Sequence, residues 1–264
     1  MPELPEVETI RRQLDPLVVG RTVTEAWSHP SAKFTPAVEA TGATIISTRR
    51  RGKYLIALLS DGRELIVHLG MTGQLAVGDR IELDDYARAW WAFDDDSSMV
   101  FRDVRRFGRL AVVSAGEYSS IPTLASMGPE PFDETFDGDA MWERMRASGQ
   151  RIKTQLLSQR PVAGVGNIYA DEALFAAGIN PAVRRISRAR SSTLLDAIRD
   201  VLEQGLARGG TTLKDYRSLE GKGSNQFHLQ CYGRSGQPCV RCELPLRSRV
   251  IDGRSTTWCA ACQR

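Results

Sequence analysis

Four of the five cysteines in this chain fall within its last 26 residues, as Cys239-x2-Cys242 and Cys259-x2-Cys262 with sixteen residues between the pairs. Two such pairs at that separation are the spacing of a four-thiolate zinc site. Each pair bites the metal from a tight knuckle, and the span between them is long enough for one β-hairpin. A closed shell of four cysteines leaves no open coordination position, so one structural zinc ion is expected rather than a catalytic one. The other use of paired cysteines, a disulfide framework, goes with secretion. The opening MPELPEVETIRRQL carries three glutamates before its first basic residue and no apolar core, which is not a secretory signal. A cytoplasmic protein is expected, and the fifth cysteine, Cys231, reads as a buried thiol.

Chemistry of a second kind is available at the N-terminus. Met1 precedes a small residue and is of the type normally removed, which exposes Pro2 as a secondary amine. An α-amino group titrates at about 7.7–8.0, so a good part of it is neutral near pH 7. A neutral amine can attack a sugar carbon and form an iminium ion, by the logic of lysine Schiff bases. Glu3 beside it is placed to act as general acid or base. From these residues alone, an ordinary unstructured start is the better reading. A third signal is Gly164-Val165-Gly166-Asn167 ahead of a helical pattern near Ile168. Glycines and an N-capping asparagine present free amides at a helix start, which is either an anion site or only a cap. Between the cysteine pairs lie Arg247, Arg249 and Arg254, a phosphate clamp on a zinc-held hairpin or a set of solvated arginines.

The elements that must position these groups divide into two textures. One helix is expected over residues 5–14, with Val7, Ile10 and Leu14 on one face and Pro16 ending the pattern. Short alternating or β-branched runs follow at 21–27, 43–48, 54–59, 64–69, 89–93, 99–102 and 110–114, close enough together for a sandwich or barrel-like pair of sheets. Past Gly128-Pro129-Glu130-Pro131 the chain reads as helices near 139–147, 151–158, 168–177 and 191–208, then a polar glycine-rich loop over 214–227 and the cysteine module. The fold class is therefore α+β. The expected domains are an N-terminal β-sandwich over 1–115, a hinge at 116–135, a helical domain with a closing loop over 136–230, and a zinc finger over 231–264.

Net charge is only +3 over 264 residues, with a pI near 8.7. The distribution carries more information. Basic clusters at 49–53, 102–109 and 184–190 stand apart from acidic runs at Asp84-Asp85 and Asp94-Asp95-Asp96, as on a phosphate-binding face with a neutralising back. No run of about 18 apolar residues occurs, which excludes a membrane-spanning helix.

Blocks spread along nearly the whole chain resemble the formamidopyrimidine-DNA glycosylase/endonuclease VIII family. They are Met1 to Thr9, Arg51-Gly52-Lys53-Tyr54-Leu55, His68-Leu69-Gly70-Met71-Thr72-Gly73, Asp103-Val104-Arg105-Arg106-Phe107-Gly108, Gly128-Pro129-Glu130-Pro131, Gly164 to Glu172, Tyr232-Gly233-Arg234 and the finger. Leu4 resembles the formamidopyrimidine branch, because endonuclease VIII proteins commonly have glycine there. The resemblance implies a helix–two-turn–helix domain and a bifunctional glycosylase and abasic-site lyase acting on oxidised purines in double-stranded DNA, as a monomer associated with the nucleoid. Pro2 would be the nucleophile and Glu3 the proton donor, with Lys53 on a hairpin turn beside the lesion phosphate. Met71, Arg105 and Phe107 would fill the gap left by a flipped nucleotide, Arg105 pairing with the orphan base. Lys153, Asn167 and Arg254 would grip phosphates, and the loop carrying Lys214 would close over the damaged base. Arg88 falls where many relatives have a phosphate-contacting histidine. Two further readings stay open: an enzyme of the endonuclease VIII kind for oxidised pyrimidines, and a zinc-finger DNA-binding protein without catalysis.

Overall fold

The computed structural model describes residues 1–264 apart from Arg80, Lys214 and Asp215. The chain divides into two compact units, Met1–Ala125 with Arg208–Ser224, and Ser126–Ala207 with Asn225–Arg264. The expected boundary lay within 116–135, but the segment Arg208–Ser224 belongs with the first unit, whereas its position in the chain suggested the helical domain.

Helix α1 (Leu4–Val18) opens the first unit with Pro5 in its first turn, where the missing N–H costs nothing. It outruns its expected end because Pro16 sits inside its last turn, and Val19 N still donates to Asp15 O at 3.0 Å. Eight strands follow: β1 (Val23–Ser28), β2 (Ile45–Arg51), β3 (Tyr54–Leu59), β4 (Arg63–His68), β5 (Gly73–Gly78), β6 (Ala87–Phe93), β7 (Ser98–Asp103) and β8 (Arg109–Ser114). They form two antiparallel four-stranded sheets, ordered β1-β6-β7-β5 and β2-β3-β4-β8. Strand β5 was not foreseen, since Gly-Gln-Leu-Ala-Val-Gly places only Leu75 and its leading glycine in the interior. Both sheets send side chains into one core, Leu55, Leu65 and Val67 from one and Trp91, Met99 and Phe101 from the other, with Val7, Ile10 and Leu14 of α1 packed against them. Each such fully buried side chain contributes roughly 1.5–3 kcal/mol. The short helix α2 (Pro122–Ala125) ends the unit's first segment.

The second unit holds α3 (Gly138–Arg146), α4 (Ile152–Leu157), α5 (Asn167–Ala176) and α6 (Arg188–Ala207), then the hairpin β9 (Arg247–Ile251) and β10 (Arg254–Trp258). Asp137 caps α3, its carboxylate accepting from Ala140 N at 2.8 Å. Helix α5 is buried along eight of its residues, so it is the central member, packed on α4, α6 and β10. No helix among the described residues is long and apolar enough to cross a membrane.

Candidate active site and nucleic-acid interface

In the first unit the chemistry gathers at the start of α1. Pro2 and Glu3 are both buried, while Met1 is 48% exposed. Glu3 is the residue before the helix and has extended backbone, so its N–H is not used within the helix. Glu6 takes that N–H on Oε2 at 2.7 Å, and on Oε1 it accepts Thr211 N, also at 2.7 Å. One buried carboxylate thus fastens the Pro2-Glu3 end of the helix to a segment two hundred residues away. Tyr216 adds its hydroxyl to the carbonyl of Glu6 at 3.4 Å and to that of Gly209 at 3.2 Å. Farther along α1, the Gln13 side-chain oxygen accepts from Leu219 N at 3.0 Å.

Lys53 stands on the two-residue turn between β2 and β3, where Arg51 pairs with Tyr54. Gly52 supplies the positive φ, +54°, that such a turn requires. Across the sheet Tyr54 faces His68, their ring centroids 4.7 Å apart. Burial, and then the neighbouring Lys53 and Arg109 charges, push the His68 imidazole down to about 4. It is therefore neutral near pH 7, and its Nδ1 accepts from Gly70 N at 3.3 Å. The next residue, Met71, is half-buried in the β4–β5 connection. Arg105 and Phe107 are exposed on the β7–β8 loop, with the guanidinium 4.7 Å from the ring centroid.

In the second unit the four sulfurs of Cys239, Cys242, Cys259 and Cys262 lie within 4.8 Å of one another. All four donors are thiol sulfurs brought to one point, which fits a tetrahedral zinc ion. Arg247, Arg249 and Arg254 are exposed on the hairpin this cluster clamps, Arg249 lying 5.2 Å from the Trp258 ring. Asn167 is the first residue of α5 rather than its cap. Its side-chain amide donates to Ser255 O on β10 at 3.1 Å, which leaves a second N–H for a ligand. Glu172, also on α5, gathers three backbone N–H groups from Gln230, Cys231 and Tyr232 at 2.7–2.9 Å and so fixes the entry to the finger. Cys231 is buried, as expected, and donates its S–H to Thr257 O at 3.0 Å.

Two of the residues expected at phosphates make contacts within the protein. Lys153 is wholly buried, and its ammonium meets Asp171 at 2.6 Å, Thr256 Oγ1 at 2.9 Å and Ser255 O at 3.0 Å. Three donors have three acceptors, which leaves none for a phosphate. Lys153 is instead a buried strut under the hairpin that bears Arg254. Arg88 is 3% exposed, its Nε donating to the Asp103 carbonyl and its Nη1 to those of Asp85 and Ala87 at 2.8–3.0 Å, with Nη2 outside these three bonds. It braces the base of the β7–β8 loop. Lys214 lies outside the described residues. The reading of the residues also passed over Glu6, His68 and Asp103 as individual groups. Of these only Glu6 left a sequence signal, its position three after Glu3, which is capping-box spacing.

Comparison with known proteins covers the chain in three consecutive segments. Residues 1–110 match the formamidopyrimidine-DNA glycosylase N-terminal domain, 127–217 the formamidopyrimidine-DNA glycosylase H2TH domain, and 236–264 the zinc finger found in FPG and IleRS. A sandwich with a Pro-Glu start, a helix–two-turn–helix unit and a four-cysteine finger define the DNA-repair glycosylase class with this three-part plan. The chain belongs to the formamidopyrimidine-DNA glycosylase family. It is 42% identical to a formamidopyrimidine-DNA glycosylase of Thermus thermophilus, covering 100% of this chain and 98% of that one, and 40% identical to one of Deinococcus radiodurans, covering 100% and 97%. The crystal structure of the MutM (Fpg) protein from Thermus thermophilus superposes with a TM-score of 0.92 at 42% identity over 99% of this chain and 98% of that one. A complex of Lactococcus lactis Fpg with DNA containing an abasic site superposes with a TM-score of 0.90 at 34% identity over 99% of each. The cysteine module is accordingly a zinc finger.

Proposed function

We propose that this chain is a bifunctional DNA glycosylase and abasic-site lyase of base excision repair, directed at 8-oxoguanine and formamidopyrimidines. The observation that supports it most is the buried Pro2-Glu3 pair at the first turn of α1, fixed by Glu6. Loss of Met1 converts the Pro2 nitrogen from an amide to a secondary amine. It then lies at the positive end of a 15-residue helix, which disfavours the protonated form and leaves a nucleophile. The amine attacks C1′ of the lesion nucleotide as Glu3 protonates the sugar ring oxygen, the base departs, and an iminium joins Pro2 to C1′. That iminium acidifies the C2′ proton. Its removal expels the 3′ phosphate, a second elimination expels the 5′ phosphate, and hydrolysis of the iminium frees Pro2. A one-nucleotide gap with phosphate at both ends results. Lys53 contacts the phosphate beside the lesion and assists proton transfer.

Flipping the nucleotide costs a few kcal/mol of stacking, offset by Met71, Arg105 and Phe107 in the vacated space. Asn167 and Arg254 hold backbone phosphates, and Lys214 is a further contact from the closing loop. Zinc, when bound to Cys239, Cys242, Cys259 and Cys262, fixes the two knuckles at the ends of the arginine hairpin. The chain works as a cytoplasmic monomer at the nucleoid. Borohydride trapping on duplexes carrying 8-oxoguanine or thymine glycol tests the reading. The expected result is an adduct with the 8-oxoguanine duplex that maps to Pro2 by mass spectrometry. Preference for thymine glycol would mark a pyrimidine enzyme, absence of any adduct a binding protein, and an adduct at Lys53 a different nucleophile.

A further inference from the structure

Asp103 is the last residue of β7 and its side chain is completely buried. Its two carboxylate oxygens go to two different loops. Oδ1 accepts from the Thr72 hydroxyl at 2.5 Å, next to Met71 in the β4–β5 connection. Oδ2 accepts from Gly108 N at 2.7 Å, next to Phe107 in the β7–β8 loop. Having donated its proton, the Thr72 oxygen accepts from Arg105 N at 3.0 Å, so the hydroxyl ties the first loop to the second directly. The backbones of the two loops also touch. Gly70 has φ +63°, and a Cβ there would lie 2.4 Å from Phe107 C and Gly108 N, so no side chain fits between them. Behind the hub, Arg88 Nε donates to the Asp103 carbonyl at 2.9 Å.

We infer that Asp103, with Thr72 as its relay and Arg88 as its brace, is a positioning residue that makes Met71, Arg105 and Phe107 enter DNA as one rigid wedge. This rests on the proposed insertion of those three side chains. The physical reason is preorganisation. A wedge on two independent loops must order each loop while it unstacks the base, whereas a wedge already tied at its root has met that cost on folding. The Asp103 carboxylate is suited to the task because both oxygens accept. An asparagine in the same place offers one acceptor and turns its NH2 toward Gly108 N–H or toward the Thr72 hydroxyl, whose proton then has no acceptor there.

The test uses the full chain and a duplex carrying a tetrahydrofuran abasic analogue with 2-aminopurine opposite it, whose fluorescence rises when the orphan base is unstacked. At saturating protein the wild type is expected to raise the signal, and Asp103→Asn and Thr72→Val to give less than half of that rise. Thr72→Ser, which keeps the hydroxyl, restores it. In parallel, the rate of 8-oxoguanine excision relative to strand cleavage at a preformed abasic site should fall at least tenfold in Asp103→Asn and Thr72→Val. A general loss of folded protein moves both rates together and leaves their ratio unchanged. Full fluorescence amplitude in both variants, or failure of Thr72→Ser to restore it, overturns the inference. A wild type that raises the fluorescence yet excises nothing removes the proposed activity and leaves the wedge standing, since the fluorescence reads insertion alone.

Discussion

Asp103 in the N-terminal unit and Lys153 in the C-terminal unit are both buried, and both stand behind surfaces that carry exposed arginines, yet they hold those surfaces differently. Asp103 works through uncharged donors, a hydroxyl and a backbone N–H, and its neighbour His68 is kept neutral while it too holds a backbone N–H. Lys153 works through an ion pair with Asp171 and through two oxygens of β10, on a hairpin that a metal site also clamps. The difference follows from what is being held. Two loops that cross between the same two sheets already share strand pairing at both ends, Gly73 opposite Asp103 and His68 opposite Arg109, and need only a short tie at the root. A five-residue two-stranded hairpin has little stability of its own in water and needs a fixed anchor at both ends.

The largest effect should come from the metal. Structural zinc contributes roughly 10–16 kcal/mol in isolated fingers, which no single ion pair replaces. Chelation is expected to abolish DNA binding and to release the hairpin from hydrogen-exchange protection while the sandwich stays folded. Folded, DNA-binding protein with no zinc by elemental analysis would show that the Lys153–Asp171 pair alone carries the finger. Next in size, Lys153→Met leaves the Asp171 carboxylate buried without its partner, a loss of about 3–5 kcal/mol in urea unfolding. The double change Lys153→Met with Asp171→Leu should recover most of it. The remainder reflects Thr257 N, which donates to Asp171 at 3.0 Å and would lose its acceptor. If the single change is silent, the ion pair is not the anchor, and the contrast with Asp103 fails.

Acid should act on the other unit. His68 titrates at about 4 in the fold and near 6.5 in an unfolded chain, so between those values the unfolded state binds the proton and the folded state does not. Stability therefore falls as pH drops from 6.5 toward 4, by about 3 kcal/mol at most. His68→Gln, which titrates nothing, should flatten that part of the stability–pH curve. An unaltered curve in the variant would place the acid sensitivity elsewhere.

Those two buried hubs also mark where reading the sequence stopped. The zinc ligands were legible because each pair spans only four residues and its chemistry is local. The position of Lys53 on a turn came from the resemblance, and the pairing of Arg51 with Tyr54 puts it on the turn between β2 and β3. The internal contacts of Lys153 and Arg88 were hidden for one reason: a basic residue in a basic region looks the same whether its protons meet phosphate or the protein's own carbonyls. Only tertiary packing decides between them. Asp103 and Glu6 were visible as letters within family blocks, but their work is to join segments, Thr72 to Gly108 and Glu3 to Thr211, that nothing local connects. The strand Gly73–Gly78 was missed on similar grounds, being defined by its pairing with β7 more than by its own composition. The sandwich and the helical unit, by contrast, follow from periodicity alone.

The smallest effect expected is at the tip of the hairpin, and it separates an anchor from a contact. Arg254 is exposed at the start of β10, one residue before Ser255, whose carbonyl accepts from both Lys153 and Asn167. Its backbone is thus held by the buried hub while its guanidinium is left outside. A side chain of that kind adds charge to the interface without adding to the fold. Arg254→Ala should therefore leave the unfolding midpoint within about 0.5 kcal/mol of wild type, the usual range for a surface change. It should weaken DNA binding by a similar factor for lesion-bearing and undamaged duplexes, because a phosphate contact carries no sequence information. The slope of log Kd against log salt should fall by about one, the signature of one fewer displaced counterion. Lys153→Met makes the opposite pattern, losing stability first and binding only as a consequence. If Arg254→Ala lowers affinity for one lesion alone with the salt slope unaltered, Arg254 reads a base, and the hairpin does more than hold the backbone.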